Sequence, residues 1–162
     1  MDQNEAFTHL DAAGNPNMVD VSAKQVTRRV ARARSLVVLP EEVLAQLEAG
    51  DIHTKKGPVF QTAILAGTMA AKKTGELIPL CHPLPLEDLK VQISLNDQRE
   101  VQIDCTAVIT AKTGVEMEAL SGARVAALTV YDMCKGFSQD IRIRETLLME
   151  KTGGKRDFKR ED

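Results

Sequence analysis

The stretch LKVQISLNDQREVQIDCTAVIT, residues 89–110, holds two runs of alternating apolar and polar side chains on either side of Asn96, Asp97, Gln98 and Arg99. A period of two is what a strand with one buried face requires, and four polar residues between two such runs predict a β-hairpin. The second strand ends near Ala111. Downstream, Thr113-Gly114-Val115-Glu116 fits a capping box, the reciprocal arrangement that opens a helix, and the nearly apolar run behind it extends to about Gly136. Asp140 to Met149 alternates again and predicts a last strand, followed by the charged tail KTGGKRDFKRED.

Upstream of the hairpin, IPLCHPLP (78–85) carries Pro79, Pro83 and Pro85, which exclude helix interior and leave the backbone few conformations, so a stiff extended loop is expected. VFQTAILAGTMAAKK (59–73) predicts a well-buried helix ending in lysines. Before it, DIHTKKGP (51–58) reads as a polar link. EEVLAQLEAG reads as a short helix from Pro40, with two acids in its first turn and Gly50 as its stop. Val26 to Leu39 alternates small or apolar residues with arginines, a strand with one wet face. The order βααββαβ predicts an α+β fold, a ferredoxin-like split βαβ antiparallel sheet with helices packed on one face. Residues 1–17, polar and interrupted by Gly14 and Pro16, are expected to form a flexible arm, and 18–162 a single α+β domain with its charged C-terminal tail.

At 162 residues the chain is the size of one domain, and burial of roughly 70% of its extended surface is expected. Twenty-one Lys and Arg against 23 Asp and Glu leave a net charge of −2, so there is no global basic field for a nucleic-acid backbone. One Tyr, four Phe and no Trp give little material for stacking bases. No stretch approaches a membrane span and the N-terminus has no secretory pattern, so a cytoplasmic protein is expected. Cys81, Cys105 and Cys134 are odd in number and far apart, as free thiols in a reducing compartment are. Lys-Thr-Gly recurs at 73–75, 112–114 and 151–153, but in three different structural contexts, so it marks no repeat. Without a Ser-x-x-Lys it marks no penicillin-interacting enzyme either.

In the long helix, Glu118, Ser121, Arg124, Asp132 and Lys135 fall within one stripe of roughly a third of the circumference. Two readings fit Asp132 and Lys135. They form a surface ion pair at i, i+3, or, given the apolar neighbours Val130, Tyr131, Met133 and Cys134, a carboxylate taken out of water and suited to proton transfer. Glu116 is explained by the capping box, whereas Glu118 either meets a polar ligand or simply favours the helix dipole. His82 sits on the proline-stiffened loop, a sensible mount for a binding imidazole, and the spacing of His9 and His53 gives it no metal-binding partners. Lys55 and Lys56 before Gly57, Lys72 and Lys73 at a helix end, and Lys151, Lys155 and Arg156 around Gly153-Gly154 are either solvated or hold phosphate oxygens. The GxxxxGK phosphate loop is absent, because position 149 is Met.

The motifs LIPLCHPL (77–84), KTGVEMEAL (112–120) and VAALTVYDMCK (125–135), with MVDVSAK (18–24) and the terminal GGK, resemble the MoaC family of molybdenum cofactor biosynthesis, and the likeness runs from about His9 to Phe158. The resemblance implies a ferredoxin-like fold and a homohexamer, a trimer of dimers with active sites at subunit interfaces. It implies conversion of (8S)-3′,8-cyclo-7,8-dihydro-GTP into cyclic pyranopterin monophosphate with release of diphosphate, a rearrangement without redox change. Asp132 then matches the catalytic aspartate and Lys135 its acid-base companion. Leu80, Cys81, His82, Met117 and Glu118 match substrate contacts, and Glu116, Lys56 and Lys151 match further active-site positions. The resemblance implies no required cofactor, Mg²⁺ entering through the substrate triphosphate, and coupling to the upstream radical enzyme, with no nucleic-acid or membrane partner. The chain departs from the pattern at Pro58 and Ile64, where the family commonly has Asp and Arg, and this bears on phosphate contacts at that helix start. A nucleotide-binding module without catalysis and a purely structural oligomerisation domain are the alternatives. The first leaves the Asp132 and Lys135 pair without a purpose, and the second makes Asp132→Ala harmless.

Overall fold

The structure, a computed structural model, describes residues 9–162. The first strand β1 (Thr27–Val38) leads into a single helical turn α1 (Glu41–Leu44), then β2 (Leu47–Glu48), β3 (Asp51–Thr54) and β4 (Gly57–Pro58). Helix α2 (Val59–Lys72) and the turn α3 (Thr74–Leu77) precede β5 (Asp88–Leu95), β6 (Val101–Ala111), α4 (Glu116–Cys134), β7 (Arg142–Thr152) and β8 (Phe158–Lys159). The main sheet has the order β5-β6-β1-β7-β8, antiparallel throughout. β1 and β5 are therefore parallel to each other with β6 between them, and β1 in turn separates β6 from β7. Those two interlocked split βαβ units make the ferredoxin-like α+β fold.

The hairpin over 89–110 forms with Leu95 opposite Val101, turned by Asn96, whose side-chain oxygen accepts from Gln98 and Glu100, and by Arg99 at φ +59°. Alternation does its work across the sheet. Ala31, Ala33, Val37, Ile103, Cys105, Ala107 and Ile109 are buried in the core, which continues through Ala119, Ala123, Ala126, Ala127 and Val130 of α4. Small residues let the layers approach closely. At the crossing of α2 and α4, a Cβ on Gly67 would stand 2.7 Å from the Gly122 carbonyl oxygen, and one on Gly122 would stand 2.6 Å from Cys105 Sγ. On the opposite register of the sheet, Arg32 and Arg34 converge on Asp104 at 3.1 and 2.9 Å, and Arg34 also holds Asp162 of the tail.

Four expectations need correction. The helix expected from Pro40 to Gly50 is one turn only, because Ala49 and Gly50 both take left-handed backbone and fold β2 back onto β3. The link over 51–58 holds the two short strands β3 and β4. The last strand runs past Met149 to Thr152, and the tail returns as β8 along its edge. The capping box does not form: Val115 occupies the N-cap position without a side-chain bond, and Glu116 turns to Lys151 at 3.2 Å. Of the N-terminal arm, residues 1–8 lie outside the described residues. Residues 9–17 fold into a turn, where the Asp11 carboxylate accepts from the backbone N–H groups of Ala13 and Asn15.

Candidate functional site

Helix α4 separates the residues singled out in the sequence into two groups. Glu116, Met117 and Glu118 lie in its first turn, together with Leu80, Cys81 and His82 of the proline-rich loop and Lys151 at the end of β7. Asp132 and Lys135 lie at its far end, where Lys56 arrives from the β3–β4 turn. Glu116 and Asp132 are about 24 Å apart along the helix axis at ~1.5 Å per residue. The expected stripe shares a bearing on α4 but not one environment: Glu118 is 4% exposed, while the side chain of Asp132 is 51% exposed.

At the C-terminal end, Asp132 Oδ1 receives Lys135 Nζ at 2.9 Å and Oδ2 receives Lys56 Nζ at 2.9 Å. The reading of Asp132 as a carboxylate withdrawn from water is overturned. Its apolar sequence neighbours Val130, Met133 and Cys134 point inward, about 100° or more away from it around the helix. Hydrogen bonds from Lys135 first and Lys56 second, followed by their charges, hold the Asp132 carboxyl at about 2, and the same carboxylate raises Lys135. An exposed ion pair contributes little to stability, so this triad is not explained as a fastening. It lines an open cavity of about 420 Å³ with Thr54, Met133 and Phe137.

The position of Lys56 is built locally. The Thr54 hydroxyl accepts from the Lys56 N–H at 3.1 Å and donates to the Gly57 carbonyl at 3.2 Å, and Gly57 takes φ +111° to close the turn. Asp51 anchors the hairpin to α2. Its buried carboxylate accepts from Ile52 and Phe60 at 2.7 Å and from Gln61 at 3.2 Å, a cap supplied from outside the helix. These bonds occupy the first amides of α2. Pro58 is the N-cap of that helix and Ile64 packs against the core.

At the other end, Leu80, His82, Glu116, Met117 and Glu118 line a cavity of about 310 Å³ that Cys81 shares. Burial, and after it the charge of Glu116, pushes the Glu118 carboxyl up, and burial together with Glu118 raises the Cys81 thiol. Beyond Glu116 opens a second cavity of about 370 Å³, whose cations are Lys24, Arg29, Lys112, Lys151, Lys155 and Arg156. Arg29 Nη2 donates to the Lys112 carbonyl at 3.2 Å, while its Nε and the Thr113 hydroxyl are buried with no hydrogen-bond partner. Unsatisfied buried donors in a cationic cleft fit oxyanions. Sequence reasoning missed Arg29 and Thr113. The doublet Arg28-Arg29 interrupts the alternation of β1, which puts one arginine on the register of the buried residues, and that was the available signal.

Among the described residues no three His, Cys, Asp or Glu side chains gather where they could hold a metal ion, and no helix is long and apolar enough to cross a membrane. The sequence matches the MoaC family model over residues 18–154. It is 56% identical over 152 residues to the cyclic pyranopterin monophosphate synthase of Xanthomonas campestris pv. campestris, covering 94% of this chain and 92% of that one. It is 52% identical over 155 residues to the molybdenum cofactor biosynthesis bifunctional protein of Synechocystis sp., covering 93% of this chain and 45% of that protein. To molybdenum cofactor biosynthesis protein 1 of Dictyostelium discoideum it is 46% identical over 170 residues, 94% of this chain and 27% of that one.

Proposed function

Because the chain belongs to the MoaC family, we propose that its two residue groups are the halves of one active site completed between protomers. As a lyase of molybdenum cofactor biosynthesis, it converts (8S)-3′,8-cyclo-7,8-dihydro-GTP into cyclic pyranopterin monophosphate and diphosphate. The observation that carries the site assignment is the Asp132 carboxylate, ionised, open to the cavity and flanked by two ammonium groups.

The rearrangement needs repeated proton transfers on the purine-derived ring and ribose, followed by attack of a sugar oxygen on the α-phosphorus. The new oxygen–phosphorus bond forms as the bond from that phosphorus to the bridging oxygen breaks, and diphosphate leaves with the electron pair. Asp132 is the proton acceptor. Lys135 returns the proton, and Lys56 holds the carboxylate and offsets charge at the reacting centre. At the other end, Leu80, Cys81, His82, Met117 and Glu118 hold the ring system. Glu116 sets Lys151, which stabilises the phosphate charge together with the cations around Arg29. The protein needs no cofactor in this reading; Mg²⁺ enters on the substrate's triphosphate.

The separation of about 24 Å between Glu116 and Asp132 along a rigid helix supports a site that takes its Asp132 end from one chain and its Glu116 end from another. Leu65 and Met69 of α2 and Leu128 of α4 leave large apolar side chains in solvent, which supports contact between copies and the homohexamer built of dimers. The reading includes functional coupling to the upstream radical enzyme; in relatives the matching unit also stands within longer proteins of molybdenum cofactor biosynthesis. The reaction is assigned to the cytoplasm.

The test is incubation of the purified protein with the cyclised dihydro-GTP, following diphosphate and the pterin product. Wild type turns over and Asp132→Ala and Lys151→Ala do not, while refolding the two inactive chains together restores part of the activity. Failure to restore it sinks the shared site; no turnover by folded wild type sinks the synthase reading.

A further inference from the structure

The ladder between β1 and β7 ends at the pair Val30 and Thr152. Past that pair a side chain replaces the missing backbone bond: the Thr27 hydroxyl donates to the Gly153 carbonyl oxygen at 2.7 Å, across 126 residues of sequence. Gly153 is fixed from two further directions. Its N–H donates to the Asp157 carboxylate at 3.2 Å, and at φ +87° it lies so close to β1 that a Cβ would overlap the Arg28 carbonyl oxygen. The turn held this way carries Lys155 and Arg156 into the wall of the cationic cavity beside Lys151.

We propose that Thr27 is a positioning residue for the phosphate end of the substrate. It does not line that cavity. It sets the 153–156 turn so that the cations of the turn face the oxyanions, and it rests on the reading above that the triphosphate occupies this cavity. None of residues 153–157 contributes a side chain to the buried core, so the bond acts on where the cations stand more than on the packing of the fold. The backbone of Thr27 is already paired with Ala111 of β6, which leaves the hydroxyl as the group that reaches across to the turn. Without it, substrate binding must itself order the turn, and that ordering cost appears as weaker binding.

The experiment uses the full-length protein and its Thr27→Val, Thr27→Ser and Lys155→Ala variants, measuring KM and kcat with the cyclised dihydro-GTP and the inhibition constant of inorganic tripolyphosphate. Thr27→Val, which keeps the shape and loses the donor, is expected to raise KM and the inhibition constant roughly three- to tenfold, the effect of one hydrogen bond, with kcat held within about twofold. Thr27→Ser keeps the donor and stays near wild type. An unchanged KM in Thr27→Val, a fall in kcat at constant KM, failure of that variant to fold, or a Thr27→Ser as impaired as Thr27→Val each overturns the proposal. Lys155→Ala separates two failures. If it weakens tripolyphosphate binding and Thr27→Val does not, the positioning role alone is wrong; if neither does, the phosphate reading of the cavity falls with it.

Discussion

Lys56 Nζ lies 2.9 Å from Asp132 Oδ2 although 76 residues separate the two, and it is the only link by which the β3–β4 turn reaches the C-terminal end of α4 among the ion pairs of the described residues. Replacing Asp132 by Asn keeps the shape and removes the charge. Activity is expected to fall roughly 10²- to 10⁴-fold, the contribution typical of a positioned base, with the melting temperature within about 2 °C of wild type. Diphosphate-release kinetics beside melting curves check this, and a large loss of thermal stability with little loss of rate would point to a structural pair instead.

The depressed pKa of Asp132 has its own signature. A folded value of about 2 against an ordinary 3.8 means that the group favours folding above 3.8 and loses that contribution as the pH falls through 2. Carboxyl-carbon NMR should find its midpoint near 2 in wild type and close to 3.8 in a Lys56→Ala, Lys135→Ala double variant. Titration of Asp132 then cannot supply a limb of the rate profile between pH 5 and 9.

Glu118 behaves oppositely. Its folded pKa lies above the ordinary 4.5, so the unfolded chain releases its proton first and stability declines with rising pH from 4.5 up through the folded value. Glu118→Gln is expected to melt at or above wild type at neutral pH and to lose this decline, while its KM rises. Melting curves from pH 4 to 8 check the first effect and steady-state kinetics the second.

Asp51 carries three backbone N–H groups on one buried carboxylate. Asp51→Ala should cost about 2 to 3 kcal/mol, or roughly 5 to 10 °C in melting temperature for a chain of this size, because the amides lose their acceptor and the helix its cap. Activity should fall with it, as the Lys56 turn loses its anchor.

The contact of α2 with α4 predicts an order among glycine variants. Gly67→Ala drives a methyl into the Gly122 backbone carbonyl, which cannot swing away, so its overpacking cost of about 1 to 3 kcal/mol should outweigh the ~1 kcal/mol gained in helix propensity. Gly122→Ala meets mainly the Cys105 sulfur. Removing that sulfur in a Gly122→Ala, Cys105→Ala chain should raise the melting temperature above that of Gly122→Ala alone.

The sheet and both long helices were legible because they run long enough for a period to show: the hairpin over 89–110 and the arginine-studded β1 each repeat their alternation several times. β2, β3 and β4 were not, since strands of two to four residues have no period and Asp51 gives no local sign that its partners are Phe60 and Gln61. Thr113 and Glu116 had the spacing of a capping box, but Lys151, close in space and distant in sequence, takes the carboxylate. Asp132 was left between two readings, of which the surface ion pair with Lys135 is the one that forms, for a related reason: its chain neighbours are apolar, yet on a helix they face other directions. The candidate residues could be picked out from their types and motifs, whereas their division between two ends of α4 required the fold.

That division also gives α4 a phase. Glu118 and Asp132 are separated by fourteen steps, which at ~100° each return the helix to within about 40° of the same bearing. One residue inserted between them would swing one end about 100° against the other and slide it ~1.5 Å, and under the proposed sharing of the site between protomers it would spoil both halves at once. An insertion in the turn over 96–99 would leave that bearing untouched. The helix is thus a length standard: between its two ends the solvent-facing positions can drift by substitution, and changes in the number of residues have to be absorbed in the loops.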